Sequence, residues 1–280
     1  MKILLTGAYG KVGTAIIDHL ADDPEFDFSY FNRSDRPPDH PYGEFDTIIG
    51  DVTEKEEITQ ALEGQDAVIH LAASISGDTP WPEILNNNII GGYNTFQGAA
   101  EQGVGKFIFA STNHVVGLYE KEHAPELYQP GYDLMLDHKV PVRPDSYYGV
   151  SKSFGEDLGR YYSETEDISF YGLRICSVRK PEYDHPYGDA ERGVANGKWK
   201  RGDQEYEEKV ARMKCMWHSR RDLAQLVEKS LKDETVDFDI FYGVSDNDRR
   251  WHDIDHARKV LGYDPQDNAE EWTEPPEDAS

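Results

Sequence analysis

Cysteine is nearly absent from this chain of 280 residues: Cys176 and Cys215 are the only two, and methionine occurs four times. Two distant thiols supply neither a disulfide framework nor a cysteine metal cluster, so both are expected to be structural in a reducing compartment, and no metal site is expected. Long apolar runs are missing as well. The opening Met-Lys leads into a strand-length run too short for the apolar core of a signal peptide, and no stretch approaches the roughly 20 residues of a membrane span. A soluble, cytoplasmic protein without a membrane partner is expected. Positive charge is the third shortage, with 29 Lys and Arg against 54 Asp and Glu and a formal net charge of -25. Repulsion then argues against nucleic acid or an anionic bilayer as partner. The acid is spread over helix faces (Glu54, Glu56, Glu57; Glu164, Glu166, Asp167) and loops instead of forming one tail. That is the pattern of a halophilic surface, whose self-repulsion is screened where the Debye length falls to about 3 Å in molar salt.

What is present is an alternation of short β-like runs and amphipathic helical stretches. Lys2 to Leu5, Phe26 to Phe31, Thr47 to Ile49, Ala67 to His70, Lys106 to Ala110 and Ser169 to Ile175 read as strands, with helices from Val12 to Leu20, Glu54 to Leu62 and Pro82 to Gln102. The alternation predicts an α/β fold with a doubly wound parallel (Rossmann) sheet, and no internal repeat is visible. The length allows one such domain with a small C-terminal substrate-binding lobe, divided as 1–175 and 176–280. Within the lobe, Lys180 to Lys214 is polar, punctuated by Gly and Pro and poorly periodic, which predicts a long insertion or lid. A helix at Arg221 to Leu231, a strand at Asp239 to Gly243 and a helix at Ile254 to Leu261 follow, and the acidic, Pro-rich Asp264 to Ser280 predicts an extended arm or frayed tail.

Between the first strand and helix stands Thr6-Gly7-Ala8-Tyr9-Gly10-Lys11-Val12-Gly13. Gly7, Gly10 and Gly13 allow a tight turn, close approach of backbone N–H groups to phosphate and close helix packing, which are the tasks of a dinucleotide-binding turn. At the end of the second strand, where a carboxylate would hold the ribose 2′-hydroxyl of NAD, the chain reads Asn32-Arg33-Ser34. Arg33 can pair with a 2′-phosphate, so NADP is expected to be preferred over NAD; Lys11 or Arg36 is the alternative reader of that phosphate. Asp51 and Val52 after the third strand are expected near the adenine, although Asp51 before Thr53 could equally be a helix cap. Leu71, Ala72 and Ala73 offer small residues where the backbone must pass the cofactor.

Far downstream, Tyr148 and Lys152 are four residues apart on a helix beginning near Ser146 and therefore face the same way. Tyr147 lacks such a partner, since Ser151 stands four residues after it. An ammonium beside a phenol is expected to lower its pKa, so that Tyr148 takes a proton from a substrate hydroxyl while Lys152 also holds the nicotinamide ribose. Ser111, Thr112, Asn113 and His114 follow the fifth strand at its carboxyl end, where ligands bind in such sheets.

Taken together, the glycine turn, Asp51-Val52, Asn88-Ile-Ile-Gly91-Gly92-x-Asn94, the Ser/Thr run and Tyr148-x-x-x-Lys152 resemble the extended short-chain dehydrogenases/reductases over nearly the whole chain. The resemblance implies Thr112 as the catalytic Ser/Thr, Tyr148 as the base, Lys152 as its partner and Asn88 as the helix asparagine near the cofactor. Within that family, Phe109-Ala-Ser-Thr-Asn-His114, Leu173-Arg174-Ile175, Met216-Trp217 and Leu261-Gly-Tyr-Asp-Pro265 are similar to the sugar C1 dehydrogenases: uronate dehydrogenases, archaeal short-chain-type glucose-6-phosphate dehydrogenases and L-arabinose dehydrogenases. Gly243-Val-Ser-Asp-Asn-Asp248 resembles the haloarchaeal members. This likeness implies Ser76, Asn113, His114 and Arg174 as sugar contacts. Two departures stand out, the longer 180–214 segment and the missing cofactor acid.

The expected activity is oxidation of the anomeric carbon of an aldose to its lactone. A neutral pentose or hexose is the first choice, and a sugar phosphate or uronate the next. A nucleotide-sugar epimerase or dehydratase would use the same Tyr and Lys but return the hydride, while a non-catalytic dinucleotide sensor would need neither. A homo-oligomer is expected.

Overall fold

The strands β1 (Lys2–Thr6), β2 (Asp27–Asn32), β3 (Thr47–Ile49), β4 (Ala67–His70), β5 (Lys106–Thr112), β6 (Ser169–Ile175) and β7 (Phe238–Gly243) form one parallel sheet ordered β3-β2-β1-β4-β5-β6-β7. The computed structural model describes residues 1–37 and 39–276. Period-two alternation explains why the strands are buried on both faces. Ile3 and Leu5, Ile69 and Ile108 point into one apolar layer, while Leu4, Val68 and Phe107 point into the other.

The helices α1 (Lys11–Leu20), α2 (Lys55–Ala61), α3 (Trp81–Ile84), α4 (Gly91–Gln102), α5 (Gly117–His123), α6 (Tyr147–Thr165), α7 (Gly188–Ala195), α8 (Gln204–Met216), α9 (Arg220–Lys232) and α10 (Asp255–Leu261) complete the fold. A π-helical turn, Leu85–Ile90, joins α3 to α4, so the expected long helix is continuous but locally widened and underwound. On the layer built around Phe96, that ring stacks on Phe107 with centroids 3.9 Å apart. The opposite layer takes Ile16 and Ile17 of α1 together with Leu223, Leu226 and Val227 of α9.

The order β3-β2-β1-β4 reverses the direction of winding between β1 and β4, and a crevice opens there at the carboxyl ends of the strands. The expected doubly wound sheet is thus the observed one. Two expectations are corrected. The 180–214 segment is largely helical, because α7 and α8 bury Tyr187, Ala190, Tyr206 and Val210 against each other. The arm from Asp264 is not frayed through its described length, since Ala269 packs with Met213 and Trp217, and Trp272 closes over them. Residues 277–280 lie outside the described residues.

Candidate active site

One cavity of about 520 Å³ runs along the carboxyl ends of β1, β2, β4, β5 and β6. At one end is the turn from β1 into α1. Gly7 has φ +66, a left-handed value that favours glycine, and a Cβ there would lie 2.8 Å from the Ala72 amide nitrogen. At Gly13 a Cβ would lie 2.1 Å from the Ala8 carbonyl oxygen, so only glycine lets α1 start so close to the turn. These cradles fit a dinucleotide: the α1 N-terminus faces the cavity, and Gly7, Tyr9, Gly10, Lys11, Val12, Gly13, Asn32, Arg33, Asp51, Val52, Leu71, Ala72 and Ala73 all line it. Burial, with the neighbouring Arg179 and Arg192 adding to it, holds the Lys11 ammonium below its ordinary pKa. Arg36 also lines the cavity, its guanidinium 4.8 Å from the centre of the Tyr9 ring. Asp51 lines the cavity and does not cap α2, whose N-cap is Glu54; its Oδ1 accepts the Thr53 amide at 2.9 Å in a turn before that helix.

At the other end stand Ser111, Thr112, Asn113, His114, Tyr148 and Lys152. The Ser146 hydroxyl caps α6 by accepting the Gly149 amide at 3.2 Å, and the cap places Tyr148 and Lys152 on the buried face of the first turns. Lys152 Nζ sits 5.9 Å from the Tyr148 ring centre and 4.7 Å from that of Phe109. Thr112 and Tyr148 line the same end of the cavity, and the Thr112 hydroxyl accepts the His114 amide at 3.3 Å.

The electrostatics differ from the expectation of a phenol acidified by its lysine. Burial pushes Tyr148 up to about 12, and the neighbouring Thr112 hydroxyl acts in the opposite direction. Burial also pushes Lys152 down to about 7. In so dry a site desolvation of both charged forms outweighs the pair's attraction.

His114 packs edge-on to Tyr148 with centroids 5.7 Å apart, and its Nδ1 lies 2.9 Å from Asp145 Oδ2. Burial works to raise the Asp145 pKa, but the hydrogen bonds from His114 and Ser146 prevail and lower it. An ionised carboxylate only accepts, so His114 donates from Nδ1, and its Nε2 is the ring nitrogen left for a hydroxyl group.

Four anticipated residues do not line the cavity. Asn88, in the π-helical turn, instead ties three pieces together: its Oδ1 accepts the Ser74 amide at 2.7 Å, and its Nδ2 donates to the Ser74 carbonyl at 3.0 Å and to Ser151 Oγ at 2.9 Å. It positions the β4 loop against α6. Ser34 gives its carbonyl to Asn32 Nδ2 at 2.8 Å, and Ser76 is exposed, its hydroxyl accepting the Asp78 amide at 3.2 Å. Arg174 is 3% exposed and turns away from the cavity; its Nε and Nη2 donate to the two oxygens of Glu156 at 2.9 and 2.8 Å. Ser111 donates to the same carboxylate.

The sequence reading missed Asp145, Glu156, Arg179 and Arg212. Glu156 was visible in principle, four residues after Lys152 and therefore on the same buried face. Arg179 and Arg212 flank or occupy the segment read as a lid, and each is held by a carboxylate, Asp189 and Glu120 respectively.

The chain belongs to the NAD dependent epimerase/dehydratase family, which matches residues 3–201. Among its relatives is an NAD-dependent glucose-6-phosphate dehydrogenase of Haloferax volcanii, 40% identical over 275 residues, which are 97% of this chain and 95% of that protein. The L-arabinose 1-dehydrogenase (NAD(P)(+)) of the same organism is 33% identical over 274 residues, 96% of this chain and 97% of that one. In three dimensions the chain is similar to glucuronic acid dehydrogenase from Chromohalobacter salexigens, with TM-score 0.75 and 30% identity over 97% of this chain and 86% of that one.

Proposed function

We propose that this chain is a sugar dehydrogenase that oxidises the anomeric C1 of a cyclic aldose to the lactone. The observation that carries the reading is the single cavity that joins the glycine turn to Thr112, Tyr148, Lys152 and the His114–Asp145 pair. NAD(P), held by the glycine turn, Asp51 and the Leu71–Ala73 backbone, would supply the hydride acceptor. Thr112 orients the C1 oxygen, and Tyr148 takes its proton as the C–H bond breaks. Lys152 in its ammonium form favours the phenolate, so the pair works when Lys152 holds its proton. His114, fixed by Asp145, accepts a sugar hydroxyl. The test is incubation with sugar and oxidised cofactor: reduced cofactor accumulates with a dehydrogenase, whereas an epimerase or dehydratase returns the hydride and accumulates none.

NADP is proposed as the preferred cofactor, because Arg33 and Arg36 line the adenosine end of the cavity and β2 ends on Asn32 with no carboxylate at positions 32–34. A neutral aldose is proposed as substrate, because Arg174, Arg179 and Arg212 are all engaged by carboxylates. A sugar phosphate is the second reading, supported by the 40% identity to a glucose-6-phosphate dehydrogenase and by Arg212 lining the cavity. The substrate-side lobe of this reading comprises α7, α8 and the arm. Among the described residues no helix is long and apolar enough to cross a membrane. A cytoplasmic setting accords with two buried thiols, both raised in pKa by burial. A homo-oligomer is supported by the exposed stripe of Tyr147, Val150, Phe154 and Tyr161 on α6, with Trp81 packed beside Tyr147. Light scattering tests it.

A further inference from the structure

We propose that His138, Asp239 and His256 bind one divalent transition-metal ion of the zinc, cobalt or nickel kind. The three come from separate pieces of chain: the segment between α5 and α6, strand β7 and helix α10. One donor atom from each lies within 4.8 Å of the other two. His256 Nε2 is 2.8 Å from Asp239 Oδ2, while Asp239 Oδ1 accepts the Ile240 amide at 2.8 Å, which fixes the carboxylate as outer-sphere bonds fix metal ligands. The His256 ring is also held from behind by Phe241, with centroids 5.3 Å apart.

His138 is the unspent member. Its Nδ1 is shielded from solvent and has no hydrogen-bond partner among the described residues, although its ring stacks on His256 at a centroid distance of 3.6 Å. Two imidazoles and one carboxylate are a donor set that suits these borderline ions and leaves a fourth position for water. Metal–ligand bonds of about 2.0–2.2 Å put tetrahedral donors roughly 3.4 Å apart. The His256–Asp239 contact at 2.8 Å therefore opens by about 0.6 Å as an ion takes the place of its proton, and His138, on a loop, is the ligand free to rotate out of its stack.

The role is structural and independent of the sugar reading. Asp239 is the second residue of β7, so at about 3.3 Å per residue it lies roughly 13 Å from the carboxyl end where Tyr148 works. The ion would pin the chain between α5 and α6, which already bridges to the C-terminal part through the Leu136 amide and the Trp251 carbonyl at 2.7 Å. That same chain carries Asp145, the anchor of His114.

The test uses the full chain, stripped with a chelator and kept in molar KCl so that its surface carboxylates do not attract cations unspecifically. Calorimetric titration with Zn²⁺ should saturate at one ion per chain, and Co²⁺ should give the visible bands of a four-coordinate nitrogen–oxygen site. His138→Ala and His256→Ala should each weaken binding by at least about tenfold. His19→Ala, an exposed histidine elsewhere, should leave it unchanged. Should His256→Ala fold poorly, the milder Asp239→Asn and the Zn²⁺-induced rise in Tm decide: the rise should persist in His19→Ala and vanish in His138→Ala. Absence of stoichiometric binding to the unmutated chain, or equal affinity in His138→Ala, overturns the proposal and leaves a plain stacked histidine pair.

Discussion

Arg174 offers the sharpest test of the site, because its type and position suggest a substrate anchor while its surroundings make it a structural charge. Its side chain is 3% exposed and that of Glu156 7%, and the two meet through a pair of parallel hydrogen bonds. Burial opposes the charged guanidinium, yet the hydrogen bonds and charge of Glu156 outweigh it and raise the Arg174 pKa. Truncating one partner of such a pair leaves the other charge buried without compensation, at about 3–5 kcal/mol. At roughly 2 °C per kcal/mol for a chain of this size, Arg174→Met should lower Tm by about 6–10 °C.

Replacing both partners removes both desolvation penalties, so Arg174→Met with Glu156→Leu should recover most of that loss. Recovery will be incomplete, because the hydroxyls of Ser111 and Tyr242 also lose partners, at about 1–3 kcal/mol for each one left buried and unpaired. Thermal melts in molar KCl measure the cycle, and steady-state kinetics on the folded variants measure KM for the sugar. If Arg174→Met melts like the unmutated chain while KM rises tenfold or more, the side chain meets substrate and the structural assignment is wrong.

Tyr148→Phe should bind cofactor normally and lose turnover by about 100- to 10,000-fold, the usual worth of a general base, as read from cofactor titration beside initial rates. Asn32→Asp should shift preference from NADP toward NAD, and Arg33→Ala or Arg36→Ala should weaken NADP more than NAD; an unchanged ratio of kcat/KM in all three would remove the proposed 2′-phosphate contact. Lys152 predicts a pH dependence: its folded pKa of about 7 lies below its unfolded value of 10.5, so between these the unfolded chain binds more protons. Stability relative to Lys152→Met should therefore rise from about pH 7 to 10 and stay at its low level below pH 7, where both states hold the proton, whereas Tyr148, raised from 10.0 to about 12, subtracts stability above pH 10. Chemical denaturation of both proteins across that range checks the sign. A rise in Tm from dilute to molar KCl is expected if the dispersed acid is a salt adaptation, and a flat curve would refute that.

The parts of the fold that could be read in the sequence are those set by local periodicity. Short continuous apolar runs, Ile3-Leu4-Leu5 and Val68-Ile69, marked β1 and β4, and the glycines at 7, 10 and 13 marked the turn between β1 and α1. Tyr148 and Lys152 were legible for the same reason, being one helical turn apart behind a Ser cap. The 180–214 segment was misread because its apolar residues are sparse and pack on one another across a turn. In retrospect Tyr206, Val210 and Met213 recur at helical spacing in α8. The arm hid its docking in one residue, Trp272, amid acid and proline. Nothing local joins Arg174 on β6 to Glu156 on α6, or His114 after β5 to Asp145 before α6, because these pairings form only after the sheet is wound.

The same pairings bear on how the charge should be understood. Acid outnumbers base here, and Arg174, Arg179, Arg212 and Arg220 each reach a carboxylate from a largely buried position, on Glu156, Asp189, Glu120 and Asp18. Glu191, with a fully buried side chain, is likewise met by Arg201 and by the Tyr206 hydroxyl. Two of these pairs, Arg212–Glu120 between α8 and α5 and Arg220–Asp18 between α9 and α1, join the C-terminal part to the rest of the chain. Cations committed inside cannot neutralise the outside, and the net charge of -25 therefore falls on the surface. Salt should act on that surface repulsion and barely touch the buried pairs, which solvent does not reach. Added KCl should accordingly raise Tm by a similar amount in the unmutated chain and in the Arg174→Met, Glu156→Leu double variant. A double variant that lost its salt response would show that the buried pairs, and not the dispersed surface acid, carry it.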